Sequence, residues 1–587
     1  MSGSVQAGTG GTMQQMIYKS SVEKWGMQEI TCKGASTGNP FTERQIRGCF
    51  QGAQETVWVD GFYDGDGVYK VRFMPSFEGE YTFRIEGNYN DEITACGDAK
   101  LNVQAGVTGQ DCDLSGTDKE GRANATDTVT KQGAEGGDAA TAGSTEREST
   151  GCGEASTGSF TVTPPSTNNH GPVRVANTYH FAYEDGKPYY SIGTTCYVWD
   201  LQSDERIAET LQTLKESAFN KIRFCIFPKH YDYNLGEPRS YPYEGTPMDS
   251  TVLTKDNFQE YTGKTEGNHF DLTRFNPAHF RHIEWCVEQL QALGIEADLI
   301  VMHPYDRWGF SCMTREQDHL YWKYVLARFA AYRNIWWSLA NEYDIFEHKT
   351  IEDWEGYAKL ICEHDPYHHL RSIHNCIAFY DHSRPWVTHC SIQRQDIYKT
   401  AELVNEWRER YRKPAVLDEI AYEGNIQHGW GNISGEEMLR RFWEAVCRGG
   451  YPGHGETYMS DDDVLWWSHG GILHGESHKR FHLLHQIMEE TPGIGLAPYD
   501  RCGWDEVCAV PESEKWSAVK SYYLYYYSFM RPSFRDFYFD DDTSFTVRVI
   551  DTWNMTVEDR GIYKGKFRIE LPGRPYMAVQ IRKALQE

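Results

Sequence analysis

Two short apolar runs in this 587-residue sequence end in acids. "NIWWSLANEYD", residues 334–344, closes on Asn341 and Glu342, and "RKPAVLDEIAYEGN", residues 412–425, sets Asp418 and Glu419 side by side after Ala-Val-Leu. Two carboxylates facing each other across the rim of a barrel suit cleavage of a glycosidic bond, in which one protonates the leaving oxygen and the other attacks the anomeric carbon. Neighbours on a strand point to opposite faces, so Glu419 is expected at the mouth and Asp418 against the barrel wall or helix layer.

The elements around these acids alternate. "SDERIAETLQTLKESAF" carries Ile207, Leu211 and Leu214 at helical spacing, "NKIRFCIFP" reads as a strand, and "NPAHFRHIEWCVEQLQALG" reads as a helix with Asn276 as N-cap and Pro277 in its first turn. With "KPYYSIGTTCYVW" ahead of them as the first strand, and continuing through "IEADLIVMHPY", "RNIWWSLANEYD", "HLRSIHN", "WVTHCSIQ", "KPAVLDEIAY" and "HGETYMS", the pattern gives eight strands with helical stretches between them. The expected fold is multidomain, with a central (β/α)8 TIM barrel over residues 176–492 whose chemistry lies at the C-terminal ends of its strands. Short alternating strands at residues 17–175 predict an N-terminal β-sandwich, interrupted by a Gly-, Thr- and Ser-rich insertion at about 105–158. Residues 493–587 are again β-rich and predict a C-terminal β-sandwich.

The signature Trp-x-x-x-Asn-Glu ending strand four, with a second Glu ending strand seven, resembles clan A of the glycoside hydrolases, the retaining (β/α)8 group. "HPYDRWGF", "YVLARFAAYRNIWWSLANEYD" and "GGYPGHGETY", with "NPFTERQIRGCF" ahead of them, are similar to apiosidase-related members that carry an N-terminal β-sandwich. The resemblance implies Glu342 as acid/base, Glu419 as nucleophile and Asn341 as a partner of the substrate 2-hydroxyl. Retention would set the carboxyl groups about 5–5.5 Å apart, and the charge of Glu419 would raise the pKa of Glu342.

Other strand ends supply further candidates. Arg223 is placed to hold Glu419 ionised, His303 and Asp306 to bind sugar hydroxyls, and His389 or Gln393 to contact nucleophile or substrate. Trp199, Trp308, Trp466 and Trp467 are candidate stacking platforms, although an extended "WW" turns only one ring to the site. Glu456 and Tyr458 are rim candidates. The two histidines read equally well as core residues, and Arg223 as a structural ion pair.

A formal charge of −27 without a basic stripe argues against nucleic acid as partner. No apolar run of membrane-spanning length and no signal-peptide pattern is present, and fifteen cysteines without C-x-x-C pairs suit a reducing cytoplasm. "EHDPYHH" and "HGESH" lack the spacing of zinc sites, and "DGDG" at 64–67 reads as a turn, so neither a metal nor a cofactor is expected. The expectation is an exo-acting hydrolase of oligosaccharides or glycosides of plant-type glycans. An endo-acting, cellulase-type glycanase and a non-catalytic carbohydrate-binding protein on the same fold are the alternatives.

Overall fold

A computed structural model of the protein describes residues 16–90, 156–460 and 465–584. Most of the expected insertion, 105–155, lies outside these residues. The strands on either side of it, Gly79–Gly87 and Ser156–Thr163, pair antiparallel, so the chain re-enters the sheet it left. The N-terminal sheet has seven strands. Its strand Thr56–Tyr63 changes partner midway: Thr56–Asp60 pairs with Ile46–Gln51, and Gly61–Tyr63 with Val68–Phe73. This exchange turns one sheet into two faces around a shared core that includes Phe50, Phe73 and Phe160.

The central unit is a parallel sheet of eight strands: β1 (Gly193–Thr195), β2 (Lys221–Cys225), β3 (Glu296–Met302), β4 (Ile335–Ala340), β5 (Leu370–Ser372), β6 (Cys390–Gln393), β7 (Ala415–Glu419) and β8 (Tyr451–His454). Their spatial order follows chain order around the ring, and the parallel bridge His374↔Ser391 joins β5 to β6. The barrel is therefore nearly closed. Every strand is buried on both faces, as its continuous apolar runs require.

Helices follow most strands: α1 (Asp204–Glu216), α2 (Pro277–Ala292), α3 (Arg315–Phe329), α4 (Ile351–His364), α5 (Val404–Tyr411), α6 (Gly435–Cys447) and α7 (Phe481–Glu489). Their starts are set by side chains that take up orphan amides: Ser203 accepts from Arg206, Asn276 from Ala278, and Thr314 and Thr350 form capping boxes with Gln317 and Asp353. The expected helix between β5 and β6 is absent; residues 373–389 run as turns and loop. That stretch carries Asn375, Asp381, Ser383 and Pro385, which favour turns over helix.

Three short strands, Val173–Ala176, His180–Tyr183 and Pro188–Tyr189, lie at the N-terminal end of the barrel, where Phe181 packs 5.1 Å from both Trp336 and Tyr451. The C-terminal region forms a six-stranded antiparallel-paired sheet and a two-stranded one, with a core of its own that includes Tyr525, Phe545 and Val579. Among the described residues no helix is long and apolar enough to cross a membrane.

Candidate active site

Lys221 and Arg223 are two apart on β2 and therefore share its inner face. Lys221 Nζ donates to Asp418 Oδ1 at 2.8 Å and to Asp298 Oδ2 at 2.7 Å, while Arg223 Nη1 donates to Glu419 Oε1 at 3.2 Å. Adjacent Asp418 and Glu419 thus reach the same face, against the alternation expected from sequence. The cause is a register shift between β6 and β7: Ser391 pairs with Val416 but Gln393 pairs with Glu419, so β7 carries one extra residue there. A bulge of this kind re-aims side chains at a barrel rim. Asp418 is placed one layer deeper, where it also accepts from Ser391 Oγ at 2.6 Å. Burial opposes its ionisation, yet Lys221 and then Arg223 hold its carboxyl well below the usual range.

Glu419 stands at the layer above, 4% exposed, accepting from Arg223 and from the Tyr197 hydroxyl. Arg223 Nη2 donates to Asn341 Oδ1 at 2.7 Å, and Asn341 Nδ2 lies 3.4 Å from Glu342 Oε2. One guanidinium and one amide therefore link the two acids. Glu342 lies past the end of β4 in the left-handed region, at φ 52°, a conformation costly for a side-chain-bearing residue and concentrated at functional sites. It accepts from the Tyr305 hydroxyl. Burial and then the Glu419 charge push its pKa up, while Lys229 and hydrogen bonds from Tyr305 and Gln393 pull the other way. The two acids thus sit in opposed environments, one held by a guanidinium and one biased toward its protonated form.

Of the other candidates, Gln393 reaches this centre and Trp467 closes one side of it. Trp467 packs 5.5 Å from Tyr197, 5.9 Å from Tyr231 and 5.2 Å from Trp430. Trp466 and Trp467 begin a short helix rather than a strand, and Trp466 is buried with its Nε1 on Thr194. Trp199 and Trp308 are core residues, against Phe224 and Phe310 respectively. His303 is buried with Nε2 near the Phe227 carbonyl, and burial followed by the Lys229 charge drives its pKa down to about 3. Asp306 accepts from the Trp308 amide, the Ser311 amide and the Ser311 hydroxyl, which organises its own loop and leaves little for a sugar.

His389 is at the wrong end of the barrel. It precedes β6 and packs against Trp336 and Phe181 at the N-terminal floor. The histidine beside the nucleophile candidate is His374, whose Nε2 lies 3.9 Å from Glu419 Oε1. Glu456 and Tyr458 also leave the rim: Glu456 accepts the amides of His474 and Gly475, Tyr458 donates to Glu423, and Glu423 accepts the amides of Glu476 and Ser477. Two buried glutamates thereby clasp the "HGES" turn. Their oxygens lie with a nitrogen of His454 within 4.8 Å of one another, but backbone amides already occupy the carboxylates, so the cluster reads as a loop anchor rather than a metal centre.

Sequence reasoning missed Tyr197, Lys229, Tyr305 and His374. Each follows the end of a strand, but tyrosine and lysine in loops carry no pattern that marks them.

Residues 175–524 match the family described as apiosidase-like, catalytic domain, and residues 21–88 and 504–582 match two families described only as domains of unknown function. The crystal structure of a Bacteroides vulgatus protein, named there as a candidate glycoside hydrolase, is 31% identical with a TM-score of 0.78, over 96% of this chain and 100% of that one. A glycoside hydrolase family 5 structure from Bacteroides vulgatus, 14% identical with a TM-score of 0.52 over 71% of this chain and 94% of that one, shares the fold. No curated protein matches the chain. With more than half of its length matched, the chain belongs to the apiosidase-like family and is a glycoside hydrolase.

Proposed function

We propose that the protein is a retaining O-glycoside hydrolase on a (β/α)8 barrel, with Glu419 as nucleophile and Glu342 as acid/base. The observation that carries this reading is the pair of opposed environments: Arg223 and Tyr197 both donate to Glu419, whereas Glu342 is buried beside that charge with its pKa raised. Glu419 attacks the anomeric carbon, the bond to the leaving oxygen breaks, and that oxygen takes the proton of Glu342. Water then attacks the same carbon, gives its proton to Glu342 and releases Glu419. Asn341, held by Arg223, takes the role of partner to the 2-hydroxyl in this reading.

We read the action as exo, on oligosaccharides or glycosides of plant-type glycans. The segment after β2 is tied to the loops beyond β7 and β8: Tyr233 donates to Gln427, and Ser468 donates to Asn234. A bridge of this kind blocks one end of a groove and favours chain ends over internal bonds. Free, buried thiols such as Cys225, Cys286 and Cys390 support a reducing, cytoplasmic setting. The flanking β regions, 17–175 and 493–587, are read as sandwiches around the barrel domain 176–492.

The test is a panel of aryl pentosides and hexosides of both anomers, followed by proton NMR during turnover. The first product should carry the anomeric configuration of the substrate. An inverted first product would reject the retaining assignment, and mixed internal fragments from a polysaccharide would reject exo action.

A further inference from the structure

Lys229, four residues past the end of β2, is 5% exposed and has no carboxylate in hydrogen-bond contact among the described residues. Aromatic faces surround its ammonium instead: Nζ is 3.4 Å from the Tyr197 ring centroid, 4.3 Å from that of Tyr305 and 4.9 Å from that of Trp467. Rings at these distances hold a cation without neutralising it. The two nearest are also the rings whose hydroxyls donate to the two acids, Tyr197 to Glu419 and Tyr305 to Glu342. A single unpaired ammonium therefore sits between the acids, one tyrosine away from each.

The surrounding titratable groups leave this charge alone in its role. On β2, Arg223 is taken up by Glu419 and Asn341, and burial pushes the Cys225 thiol up to about 12, so it stays neutral. Beyond β3, His303 is neutral and the Tyr305 phenol is raised; beyond β5, burial and Glu342 keep the Cys376 thiol protonated. Burial draws Lys229 itself down to about 8, against the pull of Glu342 and Glu419, which leaves it charged at neutral pH.

Building on the roles assigned to Glu342 and Glu419, we propose that Lys229 is a positioning residue for the second half-reaction, its caged ammonium acting as the counter-charge for Glu342 once Glu419 is esterified. Before the first step, Glu419 is anionic and Glu342 carries the proton. When the Glu419–sugar bond forms, that anion is lost and the proton leaves with the aglycone, so the one new negative charge in a buried site is on Glu342. Lys229 is the cation already in place for it. Without it, Glu342 would recapture a proton from solvent and fail as base toward water.

The test uses a 2,4-dinitrophenyl glycoside that the wild-type enzyme turns over, since dinitrophenolate leaves without a proton. Lys229→Met should keep the first-turnover burst and slow the steady state at least about tenfold at pH 6, with a glycosyl adduct accumulating on Glu419 by mass spectrometry. The acid limb of its deglycosylation profile should move up by about one pH unit or more, a tenfold change in the ionised fraction of Glu342 at a fixed acid pH. Azide, which needs no base, should restore turnover, and Lys229→Arg should hold the limb near that of wild type. The burst itself reports a folded site; where Lys229→Met shows none, Lys229→Gln takes its place. An unmoved limb, equal slowing of burst and steady state, or no response to azide overturns the inference. A wild-type enzyme that never forms an adduct on Glu419 overturns the underlying assignment instead.

Discussion

At the scale of single residues, the centre is a chain of donors that prepares one acid and biases the other. Tyr197 illustrates how much rests on one hydroxyl. Its donor meets a charged acceptor, a bond worth about 1.5–3 kcal/mol, so Tyr197→Phe should lower kcat/KM by roughly 10- to 100-fold while the thermal midpoint moves little. Full activity in that variant would show that Arg223 alone suffices. With Glu342 in the proposed role of acid, its raised pKa fixes the sign of the pH profile: glycosylation should fall as pH rises through its titration, above the ordinary carboxylate range. Glu342, Glu419, Asn341 and Arg223 were legible because each ends an apolar run or lies within one. Tyr197, Lys229, Tyr305 and His374 were not, since their roles depend on which loops meet in space.

At the scale of elements, alternation failed at one place and for a definite reason. Strand periodicity sends Asp418 outward, but the extra residue in β7 turns it inward onto Lys221. Bulges leave no mark in a five-residue strand, so sequence could not place Asp418. The Lys221, Asp298 and Asp418 cluster is wholly buried. Burial pushes the Asp298 carboxyl up whereas Asp418 is held ionised, so Asp418 is the main counter-charge of Lys221, and removing it leaves that ammonium uncompensated, which costs about 3–5 kcal/mol. Asp418→Asn should therefore lower the free energy of unfolding by that order in urea titrations, and an unchanged midpoint would show that Asp298 alone satisfies Lys221. The same periodicity located seven barrel strands and most helices; it set the eighth at "HGETYMS", whereas β8 is Tyr451–His454, and it overstated the β5–β6 link because turn-rich composition there outweighs scattered apolar residues.

At the scale of the whole molecule, the N-terminal sheet is tied to the barrel by buried charges rather than by a flexible linker. Arg72 of the sheet pairs with Glu284 of α2 at 2.7 Å, and Arg328 of α3 pairs with both Glu284 and Asp64 at 2.6 and 2.9 Å. The Asp-Gly-Asp-Gly turn expected at 64–67 is present, but its first acid also anchors the barrel. Burial would raise the pKa of Glu284, and Arg328 and Arg72 outweigh it, lowering it to about 2. Its folded pKa is depressed, so its stabilisation is complete above the unfolded value near 4.3 and is lost as pH falls toward about 2. Sheet and barrel should unfold in one transition at neutral pH, and Glu284→Gln should separate them in calorimetry. Two transitions in the wild-type protein would show that the interface does not couple them. The multidomain organisation was readable from sequence because short strands give way to strand–helix alternation and then to β-rich sequence, whereas this ionic seam joins residues more than 200 positions apart in the chain.

The central claim is that Glu419 forms the covalent bond. The most direct measurement is the hydrolysis rate of Glu419→Ala on an activated aryl glycoside with and without azide. Loss of roughly 10⁴-fold or more, with azide restoring turnover and yielding a glycosyl azide of inverted configuration, is the predicted result. Substantial hydrolysis by Glu419→Ala without added nucleophile would contradict it.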